Sequence, residues 1–186
     1  MGTPVDKKES SQPLSMKKYL LLSLLIAVMC LAIVLLRFFV IDYYNVPSES
    51  MENTIMTNDF ILANKLEKNN SNFPKQGDIV VFKSPVSNVT LVKRVVATES
   101  QKIDLKDGML FIDNKKVDEL YVTGETRTLD NSDVEFPLTV PENKVFVLGD
   151  NRENSLDSRF FGCIDKNSIK GKVTNIIFPF EHIKTL

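Results

Sequence analysis

Polar and apolar positions are unevenly distributed along this chain. Residues 1–15, MGTPVDKKESSQPLS, are polar, carry two prolines and show no apolar period, which is the composition of a disordered tail. From Tyr19 to Leu36 the chain reads YLLLSLLIAVMCLAIVLL without a single charge, and FFVI resumes after Arg37. About 20 helical residues cross the ~30 Å hydrocarbon layer of a bilayer, so the pattern predicts a membrane-spanning helix over 16–40. Beyond residue 42 no apolar period of helical spacing lasts three turns. Short branched or aromatic runs take over: DFILANK (59–65), DIVVF (78–82), TLVKRVVAT (90–98), QKIDL (101–105), GMLFI (108–112), KVFVLGD (144–150) and KVTNIIF (172–178). Gly, Pro, Asn and Asp separate them, as expected of strands, so 41–186 is predicted to be a β-rich domain. LFIDNKKV (110–117) predicts a tight hairpin. The stretches 65–76 and 122–137 are polar loops, the second expected to be mobile.

Other readings of the apolar run fit less well. A cleavable secretory signal needs a shorter run and a small-x-small site behind it, which RFFVID does not offer. A lipoprotein signal would use Cys30, but Met29 stands where a small residue should precede it. A buried soluble helix would show a polar stripe.

Lys7, Lys8, Lys17 and Lys18 precede the span, and lysine excess marks the cytoplasmic side of a membrane. The β-rich part is therefore expected outside the cytoplasm, on a single-pass protein of the plasma membrane. Residues 38–186 hold 18 basic and 22 acidic side chains, so nothing in the charge balance argues for nucleic acid. With two cysteines, Cys30 and Cys163, one of them inside the span, and one histidine, His182, neither a disulfide framework nor a Cys/His zinc site is expected. No metal and no cofactor is expected.

With a single histidine near the end of the chain, expected to be an ordinary surface residue, a serine nucleophile would need another base, and a lysine kept neutral by an apolar site is the alternative. VPSESMENTI (46–55) offers serines, and LVKRVV (91–96) a lysine. Side chains alternate along a strand, so Lys93 shares a face with Leu91 and Val95 while Arg94 points the other way. Burial among Leu and Val disfavours the ammonium. Both features also have plain readings: Lys93 as a solvated charge at a strand edge, and Ser50 or Thr54 as a helix cap. A third cluster, GDNRENSLDSRFFG (149–162), packs acids, arginines and serines between glycines just after a strand. GDN alone reads as a turn.

Taken in order behind an N-terminal apolar span, PSESM (47–51), GDIVVF (77–82), LVKRVV and GDNRENSLDSRFFG resemble the successive sequence boxes of bacterial type I signal peptidases, across residues 18–178. The resemblance implies a mostly antiparallel β-sheet catalytic domain lying against the membrane, and a serine endopeptidase. Its substrates would be exported preproteins carrying signal peptides, with the lipid bilayer and the export machinery as surroundings. Ser50 would be the nucleophile and Lys93 the general base. Ser48, with the Ser50 backbone N–H, would form the oxyanion hole, and Ser155 would orient the lysine by a hydrogen bond. Asp150, Asp157 and Arg159 would hold the last box in shape, the last two as an ion pair. The base would titrate with an apparent pKa nearer 8–9 than ~10, roughly the range to which burial tunes catalytic lysines.

Two departures stand out. Asn53 occupies a position where the family usually has proline, and ATES (97–100) replaces a Gly-x-Pro-Gly-Asp turn. Both bear on the cleft rim rather than on the reaction. A narrowly dedicated or non-catalytic relative assisting surface assembly, such as that of pilins, is the second reading, against which the retention of both Ser50 and Lys93 counts. Self-cleaving repressors share a Ser/Lys pair but are soluble and carry a DNA-binding domain absent here.

Overall fold

The computed structural model describes residues 16–186, so the tail expected over 1–15 lies outside the described residues. The chain divides into two compact units, 1–37 and 38–186. In the first, helix α1 (Met16–Phe39) has 24 residues, no buried side chain and a mean hydropathy of 3.0 over its most apolar window. At 1.5 Å per residue it is ~36 Å long, enough for a bilayer. The Ser23 hydroxyl in the uncharged run is quenched internally, Oγ donating to Leu20 O at 2.9 Å. Arg37 in the last turn suits the negative end of the helix dipole.

The second unit is built on two antiparallel sheets. Its strands are β1 (Ile41–Asn45), β2 (Phe60–Asn64), β3 (Ile79–Lys83), β4 (Thr90–Thr98), β5 (Lys102–Lys106), β6 (Met109–Ile112), β7 (Lys115–Lys116), β8 (Leu138–Thr139), β9 (Lys144–Leu148), β10 (Ile164–Asp165), β11 (Ile169–Phe178) and β12 (Lys184–Thr185). The larger sheet runs β1-β2-β11-β3-β4-β9-β10, with β12 added to β11; the smaller runs β7-β6-β5-β8. Every run predicted as a strand is one, with ends shifted by up to three residues. The short strands β1, β8, β10 and β12 were not anticipated. The predicted hairpin is β6–β7, turning on Asp113 (φ 50°) and Asn114 (φ 64°). Two consecutive left-handed residues make the primed turn that matches strand twist, and Asp and Asn tolerate it.

Both faces of the large sheet are covered, which explains the unbroken apolar run of β3. Ile79 and Val81 join Val46, Met51, Ile55, Ile61 and Ile176 in one cluster, while Val80 and Phe82 join Val95, Val145, Val147 and Ile169 in another. A third cluster, with Val96, Ile103, Leu110 and Phe146, ties the small sheet to the large one. A bulge between Val95 and Ala97 lets β4 serve both of the last two clusters. Strand β4 thus lies between β3 and β9 with Lys93 directly opposite Val80.

Candidate active site

Three segments distant in sequence converge at β4. The segment after β1 leads from buried Val46 into a single 3-10 turn, Glu49–Met51, anchored by Met51 and Ile55 in the core. Ser48 stands at the cap position of that turn, but its hydroxyl makes no capping bond; it lies 3.2 Å from Ser50 Oγ. Ser50 is 6% exposed. Thr54, the other capping candidate, accepts from Arg94 at 3.3 Å.

Lys93 reaches Ser50 from the strand, with Nζ 2.5 Å from Oγ and the residue 2% exposed. Burial pulls its pKa down from 10.5 to about 8, against an opposing pull from Asp157 and Asp150 and with help from Arg159. The two carboxylates have limited leverage because each is already matched. Asp150, wholly buried, accepts from Arg94 Nε at 2.9 Å and from its terminal nitrogen at 2.6 Å. Asp157 accepts from Arg159 Nε at 2.9 Å and from its terminal nitrogen at 3.0 Å, and both residues are fully buried. Lysine is left facing a hydroxyl rather than an unpaired anion, so less holds the proton on the amine.

The turn after β9 locks these parts together. Asp157 caps α2 (Ser158–Phe161) by accepting from Arg159 N, and its other oxygen takes Gly149 N at 3.1 Å. Asn151 N donates to Ser50 O at 3.2 Å, and Asn151 Nδ2 to Glu49 O at 3.2 Å, so this turn grips the carbonyl of Ser50 itself. Arg159 also donates to Arg152 O at 2.6 Å, and Arg152 Nε to Gly149 O at 2.8 Å. At Gly149 a β-carbon would stand 2.3 Å from Ser155 Oγ and 2.4 Å from Ser50 O, so no larger residue fits between them. The need for this glycine was missed in the sequence, where GD looked like ordinary turn punctuation.

Ser155 departs from expectation. Its Oγ is buried and has no hydrogen-bond partner, so the bond expected to Lys93 is not formed here; the lysine Nζ is drawn onto Ser50 instead. Arg94 does point to the opposite face of β4 from Lys93, yet it is not idle. Besides Asp150 it holds Gly77 O at 3.0 Å and lies over the Tyr121 ring, 3.9 Å from its centroid. His182 is 42% exposed and pairs with buried Asp59 at 2.7 Å, so it is more than a plain surface residue; Ser50 Oγ, by contrast, meets Ser48 and Lys93. Asn53 sits at φ 83°, a conformation closed to proline with its φ near −65°, and Ser100 takes φ 70° in the ATES turn. Among the described residues no His/Cys/Asp/Glu cluster has the makings of a metal site.

Beside Ser48 a cleft of about 230 Å³ opens between the segment Tyr44–Ser48 and the start of β4, Val89–Val92. Its walls are largely apolar. Larger hollows, of about 420, 460 and 320 Å³, lie away from Ser48, and neither they nor the cleft is lined by Ser50 or Lys93.

A buried Ser/Lys pair, gripped by an acid- and arginine-rich turn and flanked at Ser48 by an apolar cleft, has the parts that serine hydrolysis without histidine calls for. Residues 17–178 match the family model described as signal peptidase, peptidase S26, and the chain belongs to that family. Signal peptidase I P of Bacillus subtilis subsp. natto is 31% identical over 185 residues, covering 96% of each chain. Signal peptidase IB of Staphylococcus aureus strain Mu50 is 33% identical over 184 residues, covering 91% of this chain and 95% of its own. A crystal structure of a signal peptidase I from Enterococcus faecalis V583 aligns at 32% identity with 54% of this chain and 97% of its own; its TM-score, 0.47, is too low to bear on the argument.

Proposed function

We propose that this chain is a membrane-anchored serine endopeptidase that removes N-terminal signal peptides from exported preproteins. The observation that carries this is the buried Lys93 Nζ lying 2.5 Å from Ser50 Oγ, with a pKa lowered to about 8. At pH 7 roughly one such lysine in ten is already neutral, against fewer than one in a thousand for an ordinary one. The neutral amine takes the Ser50 proton while Oγ attacks the scissile carbonyl carbon. The oxyanion then meets the Ser48 hydroxyl and the Ser50 N–H. On collapse the ammonium hands its proton to the leaving amine nitrogen, and the signal peptide remains as an ester on Ser50. Water, deprotonated by the same lysine, releases it and restores the hydroxyl. Ser155 supplies the hydroxyl that receives the ammonium's hydrogen bond once the proton has moved. Asp150, Asp157 and Arg159 keep the turn in shape and keep the carboxylates off the lysine.

The cleft beside Ser48 suits an extended peptide. Alternate side chains of a strand point one way, so positions one and three before the cut would enter the apolar hollow, and its volume favours small ones. The test uses full-length wild type and Ser50→Ala, purified in detergent, on one model preprotein. Wild type cuts and Ser50→Ala does not; equal cutting by both ends the proposal. Leu at the first position before the cut should stop processing, and an unchanged rate would remove the small-residue reading of the cleft.

A further inference from the structure

Between β7 and β8 the chain meets neighbours of Ser50 and Lys93, and nothing in the reaction above uses this segment. Its center is Tyr121, whose ring carries the Arg94 guanidinium at 3.9 Å. The phenol donates to Glu119 Oε1 at 3.0 Å, and Glu119 takes both terminal nitrogens of buried Arg152 at 3.0 and 2.7 Å. The Tyr121 carbonyl accepts from Asn53 Nδ2 at 3.0 Å. Thr123 N donates to Asp150 O, and Arg152 N to Thr123 O, both at 2.9 Å. One residue thereby touches the turn behind Ser50, the strand of Lys93 and, through its neighbours, the turn 149–152.

We propose that Tyr121 is a positioning residue of the catalytic pair: its ring fixes Arg94 on Asp150, and its carbonyl steadies the turn that presents Ser50. The inference rests on the Ser50/Lys93 reading. A guanidinium is planar, and with its edge filled by a carboxylate and its face by an aromatic ring it has one place to be. Without the ring Arg94 gains other rotamers and water, and Asp150 loses part of its match. The groups facing Lys93 are Ser50, Asp150, Asp157 and Arg159, and Asp157 keeps its own arginine whatever happens at Tyr121. A less neutralised Asp150 stabilises the ammonium of Lys93, so the base becomes harder to deprotonate. Asn53 is part of the same device, because its left-handed backbone aims the amide at Tyr121 from a position where proline would have no amide to offer.

The test follows cleavage of the model preprotein by the full-length enzyme from about pH 6 to 10, fitting kcat and KM separately. Tyr121→Leu should lose roughly tenfold in kcat at pH 7 and move the basic limb of kcat up by about one pH unit, the two being the same change in neutral lysine. KM should stay within about twofold, since the cleft is untouched. Tyr121→Phe keeps the ring and gives up only the bond to Glu119, so its limb should stay at the wild-type position. The limb is read within one preparation and does not depend on how much of it is folded. Should Tyr121→Leu yield no folded protein, Arg94→Lys makes the same test, keeping the charge but not the planar stack, and should show the same upward limb. An unmoved limb in the variant tested, or a loss confined to KM, overturns the proposal. Cleavage by Ser50→Ala would instead overturn the Ser50/Lys93 reading beneath it.

Discussion

Lys93 illustrates how a single residue trades stability for chemistry. Its folded-state pKa of about 8 lies below the 10.5 of a free lysine, so between these values the unfolded chain binds the extra proton and stability rises with pH. Below about pH 8 both states are protonated and the folded protein carries the full cost of a buried ammonium, about 3 kcal/mol. Lys93→Met should therefore be inactive yet unfold at a higher temperature than wild type at pH 7, with the difference shrinking toward pH 10. A lower melting temperature at pH 7 would contradict this. Lys93→Arg should also be inactive, because guanidinium stays charged at any workable pH. Alternation and the scarcity of histidine made Lys93 a candidate base in the sequence, and only the resemblance of the sequence boxes singled out Ser50 as its partner. Neither reached Gly149, Tyr121 or the Asp59–His182 pair, because their roles lie in contacts between segments that no local pattern encodes.

At the level of elements, strands buried on one or both faces were legible as branched, apolar runs. The two-residue strands β8, β10 and β12 were not, since they owe their ladders to a neighbour rather than to their own side chains, and neither was β1, whose IDYYN holds a single aliphatic residue. The last box, GDNRENSLDSRFFG, behaves as one element. Asp157 alone meets the Arg159 side chain twice, the Arg159 amide and the Gly149 amide. Asp157→Ala would leave a fully buried guanidinium without its anion, at a cost of about 3–5 kcal/mol. Denaturant titration should register that loss, and a change under ~1 kcal/mol would mean that water or a neighbouring carbonyl compensates. Asp157→Asn, which keeps the shape, should lose less stability.

For the whole molecule, one long apolar helix precedes a mostly antiparallel β unit. The direction in which the helix would cross a membrane rests on the lysines at 7, 8, 17 and 18. Protease added to intact cells should cut the exposed loop 122–137 and spare the first 15 residues; the opposite pattern reverses the orientation. On the orientation the lysines propose, the β unit would work among finished proteins it must leave alone. The extended peptide proposed for the hollow beside Ser48 bears on that coexistence, because a strand already paired within a folded neighbour has no free edge to lay along it. Susceptibility is then a matter of timing: a preprotein is vulnerable while its junction is still unpaired chain, and folding itself ends the exposure.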